Sequence, residues 1–309
     1  MTIYINPYSG AGRALDRWDF LRAKIESSNG PLTSHIVRDR QQWDLLVRES
    51  LAKGERRFVA AGGDGTVNIL LNTLLAISTP QVLSEIILGA IGLGSSNDFH
   101  KPVAPENLIQ GIPCKIDFNK PATRDIGVLY FQNGDQRMTK YFIINASIGV
   151  TATANYLFNH PGRILRFLKK YSVDAAIYYS AFRTIMLHRN IPVLMQIAEN
   201  RVINSQLSNL AIIKNPNFSG SLHYGIEARY QSFDFDVFSC HGMGKTDLLR
   251  LLYHCANGGA TTMPNMDHWV LPSLTVKAGS PYALEYDGEV VQTDFCRFSL
   301  LPTTMKVCP

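Results

Sequence analysis

Cysteine is scarce in this chain of 309 residues: five are present (Cys114, Cys240, Cys255, Cys296, Cys308), odd in number and widely scattered. That pattern excludes a disulfide framework and predicts reduced thiols in a cytoplasmic compartment. No run of about 18 apolar residues occurs, so no segment is expected to span a membrane. The start, MTIYINPYSG, has neither a basic n-region nor a long apolar stretch, so no signal peptide is expected. Charge is modest at 18% of residues, with a net of +5. That excess suits an anionic substrate or a membrane surface and is too small to argue for nucleic acid. Long repeats and low-complexity segments are absent. A hydrophobic fraction of 46% is ordinary for globular proteins, and 309 residues are enough for two domains with cores of their own.

The most informative stretch is Phe58 to Asn68, FVAAGGDGTVN. Phe58, Val59, Ala60 and Ala61 read as a buried strand that Gly62 and Gly63 end. From Thr66 the apolar residues Val67, Leu70, Leu71, Leu74 and Leu75 take helical spacing. A strand, a glycine-rich turn and a helix start aim backbone N–H groups and a helix N-terminus at an anion. Gly62, Gly63 and Gly65 would let a phosphate approach the backbone. A bare carboxylate at Asp64 repels phosphate unless it holds a cation or orients a hydroxyl nucleophile. A tight βα turn with Asp64 capping the helix is the alternative these letters leave open.

Up to about residue 115, strands alternate with helices: strands at 2–5, 35–37, 58–61 and 86–91, helices at 15–25, 42–52 and from 66. This alternation predicts βαβ units and a parallel sheet, whose ligands sit beyond the carboxyl ends of the strands. Three loops leave such ends: NPYSGAG (6–12), GGDGT (62–66) and GLGSSND (92–98). All three are expected on one edge. Beyond about residue 120 the chain becomes β-rich. Strands are predicted at 125–132, 140–147, 193–198, 207–214, 233–238 and 270–277, helices near 163–188 and 246–256, and a hairpin at 283–291 turning at Asp287-Gly288. The expected domains are 1–120 and 121–300, with a tail at 301–309 that returns to the first.

NPYSG (6–10), GGDGTVN (62–68), LGSSNDF (93–99) and EYDGE (285–289) together resemble the diacylglycerol kinase catalytic-domain family. Within it the chain is similar to the bacterial soluble lipid kinases, relatives of the sphingosine and ceramide kinases. GGDGT is shared with the NAD kinases. The resemblance implies an α/β NAD kinase/diacylglycerol kinase-like domain with a parallel sheet, then a β-rich sandwich-like domain, with the active site between them. It implies ATP as phosphoryl donor and Mg²⁺ as cofactor. Asn6, Ser9, Gly62, Gly63, Asp64, Gly65, Thr66, Val67, Asn68, Ser95 and Asn97 would bind the nucleotide. Asp64, Asp98 and Asp125 would share a magnesium network. Glu289 would be the general base, with Asp287 beside it and Asp64 completing the catalytic set. Ser95 stands where the family usually has threonine, and Gly92 where it has proline; Val37-Arg38 stand where it has an early threonine.

The family's second half carries a P-x-A…DG-x-L pattern whose aspartate helps hold a further magnesium. Here that aspartate falls on Ser232 and its glycine on Phe233; Asp234 replaces the ligand only if the loop is re-registered. Gly242 to Thr246 resembles the end of a P-loop, but Ser239 stands where the first glycine is needed, and Thr246 as a helix cap explains the residues more simply. The pairs Cys240-His241 and His254-Cys255 lack zinc-ligand spacing. In 163–171, Arg163, Arg166, Lys169 and Lys170 oppose Ile164, Leu165, Leu168 and Tyr171. That is either a membrane-surface helix or an ordinary solvated one. The expected protein is a cytoplasmic lipid kinase, peripheral at the membrane where its lipid substrate lies, with no nucleic-acid partner. A free strand edge would let it pair as a homodimer. A nucleotide- or lipid-binding pseudokinase and an NAD kinase-like enzyme are the alternatives.

Overall fold

Strand β1 (Thr2–Ile5) is buried at every position, as its TIYI sequence requires of a strand covered on both faces. The computed structural model describes residues 1–134, 136–198, 201–259 and 263–309. By internal contacts the chain forms two units, Met1–Arg124 with Thr303–Pro309, and Asp125–Pro302.

In the first unit β1 is followed by α1 (Ala14–Asn29), β2 (Thr33–Ile36), α2 (Arg40–Ala52), β3 (Arg57–Gly62), α3 (Asp64–Ile77), α4 (Pro80–Glu85) and β4 (Ile87–Gly92). The strands lie parallel in the order β2-β1-β3-β4. Helix α1 buries Ala14, Trp18, Leu21 and Ile25, a stripe at helical spacing that packs on Ile3, Ile5, Val59 and Ala61. Asp39 caps α2 by accepting the Gln42 N–H at 2.9 Å. Three short strands follow: β5 (Leu108–Ile109), β6 (Ile112–Lys115), which runs antiparallel to β4, and β7 (Ala122–Arg124).

The second unit contains β8 (Gly127–Asn133), β9 (Gln136–Phe142), β10 (Asn145–Gly149), α5 (Val150–Asn159), α6 (Arg163–Tyr171), α7 (Val173–Leu187), β11 (Ile191–Ala198), β12 (Arg201–Ile213), β13 (Asn217–Phe218) and β14 (Leu222–His223). Then come β15 (Phe235–His241), α8 (Lys245–Ala256), β16 (Met266–Leu271), β17 (Leu274–Tyr286) and β18 (Glu289–Leu300). Nine strands form an antiparallel sheet in the order β16-β15-β12-β10-β17-β18-β8-β9, with β11 also bridging β12 and β17. Alternation separates its faces: Leu210 and Ile212 enter one apolar cluster, Ala211 and Ile213 the other, which is shared with Leu248 and Leu251 of α8. The chain then re-enters the first unit as β19 (Met305–Val307), parallel to β4 and antiparallel to β7.

The structure differs from the sequence reading at several joints. The single strand expected at 140–147 is two, because the N–H groups of Ile143, Ile144 and Asn145 go to the Asp287 carboxylate. Residues 270–277 divide between β16 and β17, and α5 was not anticipated. Helix α3 begins at Asp64 rather than Thr66. Gly244, not Thr246, caps α8, and Asp247 Oδ2 accepts the Gly244 N–H at 3.2 Å. All five cysteines are buried free thiols.

Candidate active site

The three glycine loops follow β1, β3 and β4, which are neighbours in the parallel sheet, so their carboxyl ends share one edge. They are meshed at backbone level. The N–H groups of Leu93 and Gly94 both donate to Gly62 O, at 2.9 and 3.1 Å. A Cβ on Gly94 would stand 2.3 Å from Gly63 Cα, and one on Gly10, which has φ +60°, 2.5 Å from Leu93 O. Only glycine permits these approaches.

Side chains hold the loops in this form. Asn6 Nδ2 donates to Thr66 Oγ1 at 3.1 Å, and Ser9 Oγ shares a hydrogen bond with the same hydroxyl at 3.3 Å. Thr66 is buried and lies over Gly62, where a Cβ would come within 2.2 Å of its Oγ1. Asn97, itself left-handed at φ 52°, accepts from Gly94 N at 3.0 Å and donates to Gly92 O at 3.1 Å. Val67 and Asn68, expected beside the phosphates, are buried one turn into α3. Gly63, Asp64 and Gly65 keep accessible surface here, as do Asn6, Ser9 and Asn97, and Ser95 is exposed. Backbone N–H groups at the start of a 14-residue helix and a Cβ-free floor fit the phosphates of a nucleotide.

Asp64 and Asp98 come together beside that floor. Asp64 Oδ1 accepts the Phe99 N–H at 2.9 Å. Desolvation first, and the charge of Asp98 second, push the Asp64 carboxyl up to about 7. Asp98 is buried and ion-paired to Lys101. A desolvated carboxylate with a second one beside it fits a hard divalent cation, directly or through water.

Asp125 is held differently. It belongs to the second unit, where its Oδ2 takes the Lys214 ammonium at 2.9 Å and the N–H groups of Ser232 and Phe233 at 3.0 and 3.1 Å. Lys214 is 1% exposed, and its Nζ also donates to Asp234 O at 2.7 Å and approaches Ser232 Oγ at 3.5 Å. The region expected to hold a further magnesium therefore already contains a buried organic cation. Asp234 turns its own Oδ2 to Arg229 at 3.0 Å. These residues do not fit a second metal. Among the described residues no group of three or more His, Cys, Asp or Glu side chains is placed to hold one ion. Sequence reasoning missed Lys214; its signal was a lone lysine closing the apolar run LAIIK.

The EYDGE segment is the β17–β18 hairpin, turning at Asp287 (φ 43°) and Gly288 (φ 92°). Its three carboxylates have separate tasks. Glu285 is buried and accepts from Gly288 N at 2.7 Å and Ser147 Oγ at 2.8 Å. Asp287 is buried and accepts the backbone N–H groups of Ile143, Ile144 and Asn145 at 2.8, 2.9 and 3.1 Å. Glu289 is partly exposed, and among the described residues its carboxylate has no hydrogen-bond or ion-pair partner.

A parallel α/β unit with glycine loops on its carboxyl edge, joined to an antiparallel β unit, is the architecture of the diacylglycerol kinase and NAD kinase folds. Over 99% of its length the chain superposes on a diacylglycerol kinase structure from Bacillus anthracis str. Sterne, covering 95% of that chain with a TM-score of 0.67 at 15% identity. A second structure from the same organism gives a TM-score of 0.72 at 17% identity, covering 96% of that chain. These likenesses establish the fold. Residues 1–122, within the first unit, match the family model of the diacylglycerol kinase catalytic domain. The "Probable lipid kinase YegS-like" of Chromohalobacter salexigens is 34% identical over 108 residues, 35% of this chain. That alignment spans 31% of the relative's own length.

Proposed function

We propose that the protein is an ATP- and Mg²⁺-dependent lipid kinase that transfers the γ-phosphoryl group to a lipid hydroxyl, acting peripherally at a membrane. The observation that carries this reading is the meshed edge of three glycine loops with the Asp64–Asp98 pair beside it. Its phosphate floor is built from backbone N–H groups, and Asn6, Ser9, Thr66 and Asn97 hold that floor rigid. Asp64 and Asp98 would hold the magnesium, which when bound neutralises charge on the phosphates and orients them for transfer. Glu289 accepts the proton of the attacking hydroxyl as the new O–P bond forms. Asp287 is a positioning residue: through three backbone N–H groups it sets the turn that presents Glu289. The family match in the first unit and the lipid-kinase relative support the choice of reaction.

The test is transfer of label from γ-³²P-ATP into a panel of detergent-dispersed lipids, with and without Mg²⁺, for the wild type and Glu289→Gln. Organic-phase label that needs Mg²⁺ and falls at least about a hundredfold in Glu289→Gln is expected, the scale of a lost general base. Full activity in that variant would remove Glu289 from the mechanism. ATP binding without label in any lipid would favour the second reading, a nucleotide-binding pseudokinase. That reading is favoured by one observation, the Lys214 ammonium lying where a further magnesium was expected.

A further inference from the structure

Helix α6 turns an apolar stripe toward solvent. Leu165 is its one fully buried residue, at 2% exposure, whereas Ile164, Phe167 and Tyr171 are 60%, 63% and 69% exposed. These three recur at i, i+3 and i+7, so they line one side of the helix. Phe167 and Tyr171 pack on each other with ring centroids 4.8 Å apart, which makes the stripe a continuous ridge. Arg163, Arg166 and Lys170 repeat the same spacing one residue earlier, flanking the ridge, and all three are exposed. Lys169 is not part of this row: its ammonium donates to Phe158 O at 3.2 Å and lies 3.9 Å from the Phe158 ring centroid, tying α6 to α5.

The positive charge of the chain is concentrated in the stretch of sequence that contains this helix. Residues 136–198 contain eight Lys or Arg (137, 140, 163, 166, 169, 170, 183, 189) and one acidic residue, Asp174, a net of +7. The whole chain is +5, so the remainder is −2. Exposed aromatic and aliphatic groups beside cations, on a helix too short to cross a bilayer, fit the boundary between headgroups and acyl chains.

We propose that α6 is the membrane-docking element, seating Ile164, Phe167 and Tyr171 below the headgroups of an anionic bilayer while Arg163, Arg166 and Lys170 pair with lipid phosphates. The proposal rests on the lipid-kinase reading for its purpose and on α6 alone for its geometry. No acidic residue occurs in α6 or within the preceding two turns, and Asp174, at the start of α7, is the one carboxylate in the sequence near the row. The helix is anchored through Leu165 and Lys169, so the ridge is presented by a fixed element.

The test is co-sedimentation of the full chain with vesicles of phosphatidylcholine alone or with about one third phosphatidylglycerol. Binding to the anionic vesicles is expected, with weak binding to neutral ones. The triple variant Arg163→Gln, Arg166→Gln, Lys170→Gln should lose about a hundredfold in partitioning, from the usual value of a cation near an anionic surface. Phe167→Ser should lose at least about tenfold, and Phe167→Trp should show a blue-shifted emission on anionic vesicles only. All these positions are exposed, so the variants keep the wild-type melting temperature. Equal vesicle binding by wild type and variants overturns the proposal. So does a wild-type dimer that Phe167→Ser dissociates, which would make a second copy the occupant. Kinase activity on detergent-dispersed lipid separates the two readings. If it survives while vesicle binding is absent, the docking surface fails and the kinase reading stands. If vesicles bind in the α6-dependent way and no lipid is phosphorylated, the kinase reading fails and the surface stands.

Discussion

Lys214→Met isolates the buried Asp125–Lys214 pair. In the wild type both side chains are essentially inaccessible, and Asp125 Oδ2 is shared among the ammonium and two backbone N–H groups. Its Oδ1 is buried without a hydrogen bond. Methionine conserves the volume and apolar stem of lysine but leaves a buried carboxylate without its counter-ion. Breaking a buried pair from one side costs about 3–5 kcal/mol. The loop it organises carries Gln231 and Phe233 at positive φ (63° and 52°), so it has little intrinsic preference for its conformation without Asp125. For a unit the size of residues 125–302, about 3–5 kcal/mol corresponds to a fall of roughly 10 °C in Tm. Scanning calorimetry and urea unfolding followed by fluorescence would measure it. Adding Asp125→Asn removes the orphaned charge while keeping an acceptor for Ser232 and Phe233, so the double variant should recover more than half of the loss. A Lys214→Met protein within about 1 kcal/mol of wild type would refute the argument, as would a double variant no more stable than the single one.

Two further outcomes follow from the first unit. Gly94→Ala puts a Cβ against the Gly63 backbone, which no rotamer relieves; ATP affinity should fall at least about tenfold, read as a smaller nucleotide-induced rise in Tm, with about 1–3 kcal/mol of stability lost. Lys115 is buried, and burial first and Arg124 second push its ammonium down from 10.5 to about 8. Its folded value lies below its unfolded one, so the fold disfavours the proton. The cost, about 3 kcal/mol, is full below pH 8 and disappears as pH rises toward 10.5. Lys115→Met should therefore be about 1–3 kcal/mol more stable than wild type at pH 7, with the gap closing by pH 10 in denaturant titrations; a gap independent of pH would refute the assignment.

The three loops of the first unit were legible because each is a local pattern. A short apolar strand followed by Gly62-Gly63 or Gly92-Leu93-Gly94 specifies its own turn, and a parallel sheet sends every such turn to the same edge. The Asp287-Gly288 hairpin was legible for the same reason, since its positive φ angles select those residues. The tasks of the carboxylates were not. Asp64, Asp125, Asp287 and Glu289 have the same chemistry in one dimension. Which of them holds backbone, which meets an ammonium and which stays unpartnered depends on partners 35 to 144 residues away. Lys214 shows this most directly, as a basic residue in the sequence and an internal cation in the fold. The exposed side of α6 was likewise ambiguous, because a helical period gives the angle between two stripes and not which one the rest of the unit covers. Local sequence determined the parallel strands of the first unit, the glycine turns and their shared edge through short-range sterics and apolar spacing. Only the tertiary structure decided where each charge lies, because burial and pairing are set by residues distant in the chain.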